Sequence, residues 1–135
     1  MEDVYEEDIE GIELDIMDGV DALVSLCHTN AVQAGWWTDL NTGEYKERNK
    51  GEMLMLMVSE LAEAMEAERK DLMDDKLPHR RGVEVELADC VIRIADYCGR
   101  YNLDLGGAIL EKIEYNRKRE DHKIENRMKA DGKKF

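Results

Sequence analysis

The chain has 135 residues, 43% hydrophobic and 38% charged, with one proline, one phenylalanine and a formal net charge of −13. That length suits one compact domain without a second core, and a chain rich in Glu, Leu, Met and Lys but poor in proline and aromatics favours an all-α fold over a β-sandwich or barrel. The acidic balance argues against a nucleic-acid polymer as partner, which needs a Lys/Arg surplus, but not against a single nucleotide, because divalent cations can invert the local field.

No apolar run is long enough to span a bilayer, and the acidic start Met1-Glu2-Asp3 is unlike a signal peptide. A cytoplasmic protein with no membrane attachment is expected. Cys27, Cys90 and Cys98 form no metal-ligand pattern. Cys90 and Cys98 fall on one expected helix, about 12 Å apart along its axis, too far for a disulfide. All three sit among apolar residues and read as small core residues.

Residues 1–14 are acidic and are expected to form a loosely held arm or short helix. Residues 15–122 form the expected domain. Its first helix runs from near Asp15 to about Ala34, with Leu23, Val24, Cys27 and Ala31 as an apolar stripe. Gly35 ends it, and a polar loop follows through Asn49. Helix two is expected over Gly51–Leu72, helix three over Arg81–Arg100 and helix four over Ala108–His122. The segment Asp74-Asp75-Lys76-Leu77-Pro78 breaks the chain between the middle two. The charged tail, residues 123–135, is expected to fray. Four helices with short connections imply a four-helix bundle.

The middle helices carry the chemistry. Helix two opens with Met53-Leu54-Met55-Leu56-Met57-Val58, an apolar run that covers the whole circumference, so this turn is expected to be buried on every side. Leu54, Met57, Val58, Leu61 and Met65 form its main stripe, with Glu60 and Glu63 off to one side. Helix three is apolar around most of its wheel, and Glu86, Asp89, Arg93 and Asp96 occupy a narrow stripe. Arg93 is placed to pair with Asp89 or Asp96 one turn away. Glu60 and Glu63 are i, i+3 neighbours, as are Glu86 and Asp89, so each pair leaves one helix face. Two such helices packed antiparallel bring four carboxylates together, an arrangement that needs cations. All-oxygen ligation suits Mg²⁺ or Mn²⁺ better than zinc. A single Glu-x-x-Glu is usually a solvated face; the combination on two apolar helices carries the weight.

Ser59-Glu60-Leu61-Ala62-Glu63 followed by Glu86-Leu87-Ala88-Asp89 resembles the E-x-x-E … E-x-x-D signature of MazG-like nucleotide pyrophosphohydrolases, in the all-α NTP pyrophosphatase superfamily. His28-Thr29-Asn30-Ala31-Val32-Gln33-Ala34-Gly35-Trp36-Trp37 is similar to the segment before the first motif in small, often phage-borne members, and Lys112-Ile113-Glu114-Tyr115-Asn116-Arg117 is similar to their fourth-helix motif. Together these span roughly residues 20–120.

The resemblance implies a MazG-like bundle that works as a homodimer or homotetramer and hydrolyses a nucleoside triphosphate to monophosphate and pyrophosphate. Glu60, Glu63, Glu86 and Asp89 would hold two or three Mg²⁺ ions, with Mn²⁺ as a substitute, and one of these carboxylates, Glu63 for instance, would also accept a proton from the water. His28, Trp36 and Trp37 would face the base, against the plainer roles of core histidine and hydrophobic anchors. Lys112, Tyr115 and Asn116 would contact the substrate, Lys112 at its phosphates. Competing readings are a dCTP, dUTP or phosphoribosyl-ATP pyrophosphohydrolase, a non-catalytic acidic helical interaction module and, with least support, a cation buffer.

Overall fold

The computed structural model describes residues 6–135, with side chains from residue 8 onward. Its regular elements are helical: α1 (Glu6–Gln33), α2 (Lys50–Arg69), α3 (Gly82–Arg100), α4 (Leu105–Lys118), a 3-10 turn at Glu120–His122 and the short α5 (Ile124–Arg127). β-structure among the described residues is limited to two isolated bridges, Thr38 with Tyr45 and Met73 with Arg81. None of these helices is long and apolar enough to cross a membrane.

The first helix starts at Glu6 instead of near Asp15. Residues 6–14 contain mostly Glu, Asp, Ile and Leu, and acidic groups near a helix N-terminus favour it through the dipole. Residues 1–5 of the expected arm lie outside the described residues. In the tail, Asn126 donates to the Glu120 carbonyl at 2.6 Å and Lys123 pairs with Glu120 at 2.7 Å, so structure continues past the expected fraying point.

The chain divides into two compact units, residues 22–103 and residues up to 21 with 104–135. In the latter, α4 opens with the Asp104 side chain accepting from Gly107 N at 3.0 Å and is followed by the 3-10 turn and α5. In the former, the second half of α1, α2 and α3 share a core with the loops between them. Gly35 (φ 85°) ends α1, while Asp71 (φ 51°) and Asn102 (φ 54°) take left-handed conformations just past α2 and α3. Asn49 caps α2 by accepting from Glu52 N at 2.9 Å.

Helices α2 and α3 are antiparallel, since Arg81 meets Glu68, Arg93 meets Glu60 and Cys90 Sγ donates to the Met57 carbonyl at 3.4 Å. Small residues set their spacing. Ala64 and Ala67 are buried on α2, as are Cys90, Ala95 and Cys98 on α3. The three free cysteines are all buried, as expected. The apolar run of α2 departs from expectation: Met53 is buried, but Leu54, Met55, Val58, Leu61 and Met65 are exposed on this chain. An all-round apolar helix does not say which arc turns inward, and here the smaller side chains do.

On the same stripe of α3, two turns past Asp89, Asp96 is buried and binds two elements at once. His28 Nδ1 donates to its Oδ1 at 2.9 Å, and Trp37 Nε1 donates to the same oxygen at 3.0 Å. Trp37, only 2% exposed, packs edge-on against His28 and Tyr101. Gly99 makes room for this contact, since a Cβ there would stand 2.5 Å from His28 Cβ.

Two glycine substitutions are expected to act with opposite sign in urea unfolding. Gly99→Ala drives the added methyl into His28 and costs about 1–3 kcal/mol. Gly19→Ala, in α1 with nothing within 4 Å of the added atom, stabilises by up to about 1 kcal/mol through helix propensity.

Candidate functional site

The antiparallel pairing lays the acidic stripes of α2 and α3 against each other. Carboxylate oxygens of Glu60, Glu63 and Glu86 lie within 4.8 Å of one another. Glu60 is buried, Glu86 half-buried and Glu63 exposed, so the group opens outward on the Glu63 side. Asp89 stands one turn from Glu86, outside this group of three. Across the helices, Arg93 Nε donates to Glu60 Oε1 at 3.0 Å. The expected partner of Arg93 lay within its own helix; the structure replaces it with Glu60, because the guanidinium reaches the facing helix where a buried carboxylate demands a cation.

The cluster is charge-stressed. Glu86 Oε2 is buried without a hydrogen-bond partner, and ionised neighbours have nothing to donate. Burial, then hydrogen bonding to Glu60 and Glu63 once a proton is present, then their charges push Glu86 up to a pKa of about 7. Asp89 is also raised, first by burial and then by Glu60, with Arg93 pulling it back and Asp74 adding to the rise. Asp74 is itself buried in the α2–α3 turn, accepting from Leu77 N at 2.7 Å and Lys76 N at 3.0 Å.

An open cleft of about 890 Å³ adjoins the cluster, within the size range of small-ligand sites. Glu60, Asp89, Arg93 and Asp96 lie along its acidic side, Leu23, Ala31, Leu56 and Ile92 supply apolar wall, and Arg48 adds a second cation. Trp36 also lines it, with 64% of its surface exposed. The two tryptophans therefore differ in situation: Trp36 faces the cleft, whereas Trp37 is a core anchor on Asp96. His28 is occupied by the same aspartate. A cation-aromatic cluster braces the loop before α2. Arg100 lies 4.1 Å from the Tyr45 ring centre and donates to its hydroxyl at 2.7 Å, while Arg48 lies 5.3 Å from the Trp37 ring.

Lys112, Tyr115 and Asn116 lie on α4, in the unit containing residues 104–135. There the Lys112 ammonium sits 4.6 Å over the Tyr115 ring, and Lys112 and Asn116 border an apolar groove with Ile109 and Ile113. Asn116 Oδ1 is buried without a partner.

Asp96 as a double acceptor, Arg48 in the cleft and the Arg93–Glu60 pair were not foreseen. Asp96 and Arg93 carried a signal, as members of the narrow charged stripe on helix three.

The donor set Glu60, Glu63 and Glu86 is all oxygen, and it includes an orphaned buried oxygen and a carboxyl that keeps its proton to near neutrality. These features fit a hard divalent cation such as Mg²⁺ or Mn²⁺.

The raised Glu86 gives metal-free protein a pH dependence with a definite sign. A carboxyl whose folded pKa lies above its unfolded value of about 4.5 contributes stability below that value and loses it as pH rises through about 7. In chelator, wild type therefore loses stability between pH 5 and pH 8 relative to Glu86→Gln, by at most about 3 kcal/mol. Parallel pH profiles of the two melting temperatures would assign the strain elsewhere.

No family model, curated protein or solved structure matches this chain, so the chemistry of the site rests on its own residues.

Proposed function

We propose that this chain is a divalent-metal-dependent nucleoside triphosphate pyrophosphohydrolase that converts (d)NTP to (d)NMP and pyrophosphate. One observation carries the reading: Glu60, Glu63 and Glu86 converge beside an 890 Å³ cleft that Glu60 and Asp89 also border. Its resemblance to MazG-like enzymes in the Glu-x-x-Glu and Glu-x-x-Asp pairs supports the same assignment.

When bound, the divalent ions supply charge neutralisation for the polyphosphate and for the departing pyrophosphate. Glu60, Glu63, Glu86 and Asp89 would hold them. Glu63, the exposed member, is open to solvent and accepts the proton of the water that displaces pyrophosphate. The bond broken joins the α-phosphorus to the bridging oxygen, which leaves with the pyrophosphate. Trp36 offers its ring to the base from the cleft wall. His28 and Trp37 act behind that wall, fixing Asp96, instead of meeting the base themselves.

The exposed stripe of Leu54, Val58, Leu61 and Met65 lies on one face of α2. An apolar face of this kind fits burial against a second copy in a homodimer, or in a homotetramer built from dimers.

Incubation with each NTP and dNTP plus Mg²⁺ is expected to give monophosphate and pyrophosphate, read by ion-exchange chromatography. Diphosphate and phosphate as products, or no Mg²⁺-dependent turnover, would sink the assignment, the latter in favour of an acidic interaction module. Glu63→Gln and Glu86→Gln are each expected to lower kcat by at least about 100-fold with the helical circular dichroism retained. In light scattering, Leu61→Glu is expected to shift the protein toward monomer, and an unchanged mass in the variant assigns this face another role.

A further inference from the structure

The acidic cluster already contains one cation of its own. Arg93 donates through Nε to Glu60 Oε1 at 3.0 Å, and among the described residues its two terminal amino groups make no hydrogen bond. Its side chain is 40% exposed, against 11% for that of Glu60. Glu60 is thus the buried partner and Arg93 the more accessible one. Both residues border the cleft, as does Asp89.

A divalent cation on Glu60 and a guanidinium on the same carboxylate repel one another at this range. A triphosphate in the cleft supplies the alternative partner, since a guanidinium with two unoccupied amino groups suits bidentate phosphate binding. Resting on the pyrophosphohydrolase reading, we propose that Arg93 is an exchangeable counter-cation. It neutralises Glu60 while the carboxylates hold no metal and transfers to a phosphate of the substrate when they do. No covalent bond changes in this exchange. Metal and polyphosphate thereby favour each other's binding, and the coupling is reciprocal.

The test measures two affinities on full-length wild type and Arg93→Gln. Mn²⁺ binding to the free protein is followed by the loss of the free-ion electron paramagnetic resonance signal. Binding of the α,β-imido analogue of a deoxynucleoside triphosphate, at saturating Mn²⁺, is followed by calorimetry. Arg93→Gln is expected to bind Mn²⁺ about ten-fold tighter and the analogue about ten-fold more weakly, the value of one charge-assisted contact in each direction. These opposite signs are the signature of exchange. Tighter Mn²⁺ with unchanged analogue affinity makes Arg93 a static partner of Glu60 and overturns the proposal, as does unchanged affinity for both. Parallel weakening of both also overturns it, marking a structural role. Arg93→Lys, which keeps the charge but not the fork, covers a Gln variant that fails to fold: Mn²⁺ affinity is expected to stay within about two-fold of wild type and analogue affinity to fall at least about three-fold. An unchanged analogue affinity in that variant counts against the exchange. If wild type takes up no Mn²⁺ with or without the analogue, the pyrophosphohydrolase reading falls with it; Mn²⁺ uptake that is indifferent to Arg93 removes only this inference.

Discussion

Close approach of α2 and α3 is the constraint from which the rest of the site follows. Their facing carboxylates repel, and the helices stay together because small residues let the backbones close. Ala64 and Ala67 are buried on α2, and Cys90 is buried on α3 with its thiol against the Met57 carbonyl. At the turn end, a Cβ on Gly82 would come within 3.0 Å of Ala67 Cβ. Packing of this kind gathers dispersion and apolar burial along the whole interface, while the repulsion acts at one band of residues. The apolar contact holds the cluster in a geometry that carboxylates would not adopt by themselves.

A second anchor works two turns further along α3. Asp96 ties α1 through His28 and the loop through Trp37, and the aromatic contacts extend to Tyr101. Both donors are satisfied by one carboxylate, so removing it leaves a buried indole N–H without a partner, the costly half of a hydrogen-bond loss. The cleft is consequently walled by elements fixed at both ends: the carboxylates by helix packing, and the loop bearing Trp36 by its neighbour Trp37.

Helix order and the i, i+3 carboxylate pairs were legible because helical periodicity reports neighbours on the same helix. It says nothing of partners across helices, which is why Arg93 was assigned to Asp89 or Asp96 when its hydrogen bond goes to Glu60. The inward arc of α2 was misjudged for a related reason. Leu54, Val58, Leu61 and Met65 form the stronger apolar stripe, but Ala64 and Ala67 permit the closer approach, and spacing outweighed bulk. The two tryptophans illustrate a further limit. Adjacent in sequence, they point into different surroundings, a distinction set by the turn after Gly35 (φ 85°) and invisible to composition.

The proton that Glu86 retains near neutrality has a consequence for any cation that takes its place. Filling the site must expel that proton, so uptake becomes an exchange of one positive species for another. Near neutral pH, close to that pKa, a cation loaded there would release part of a proton per chain from this residue. On the proposed reading, mild acidity would compete with the cation at the site, and falling pH would empty it even when the concentration of cation outside does not change.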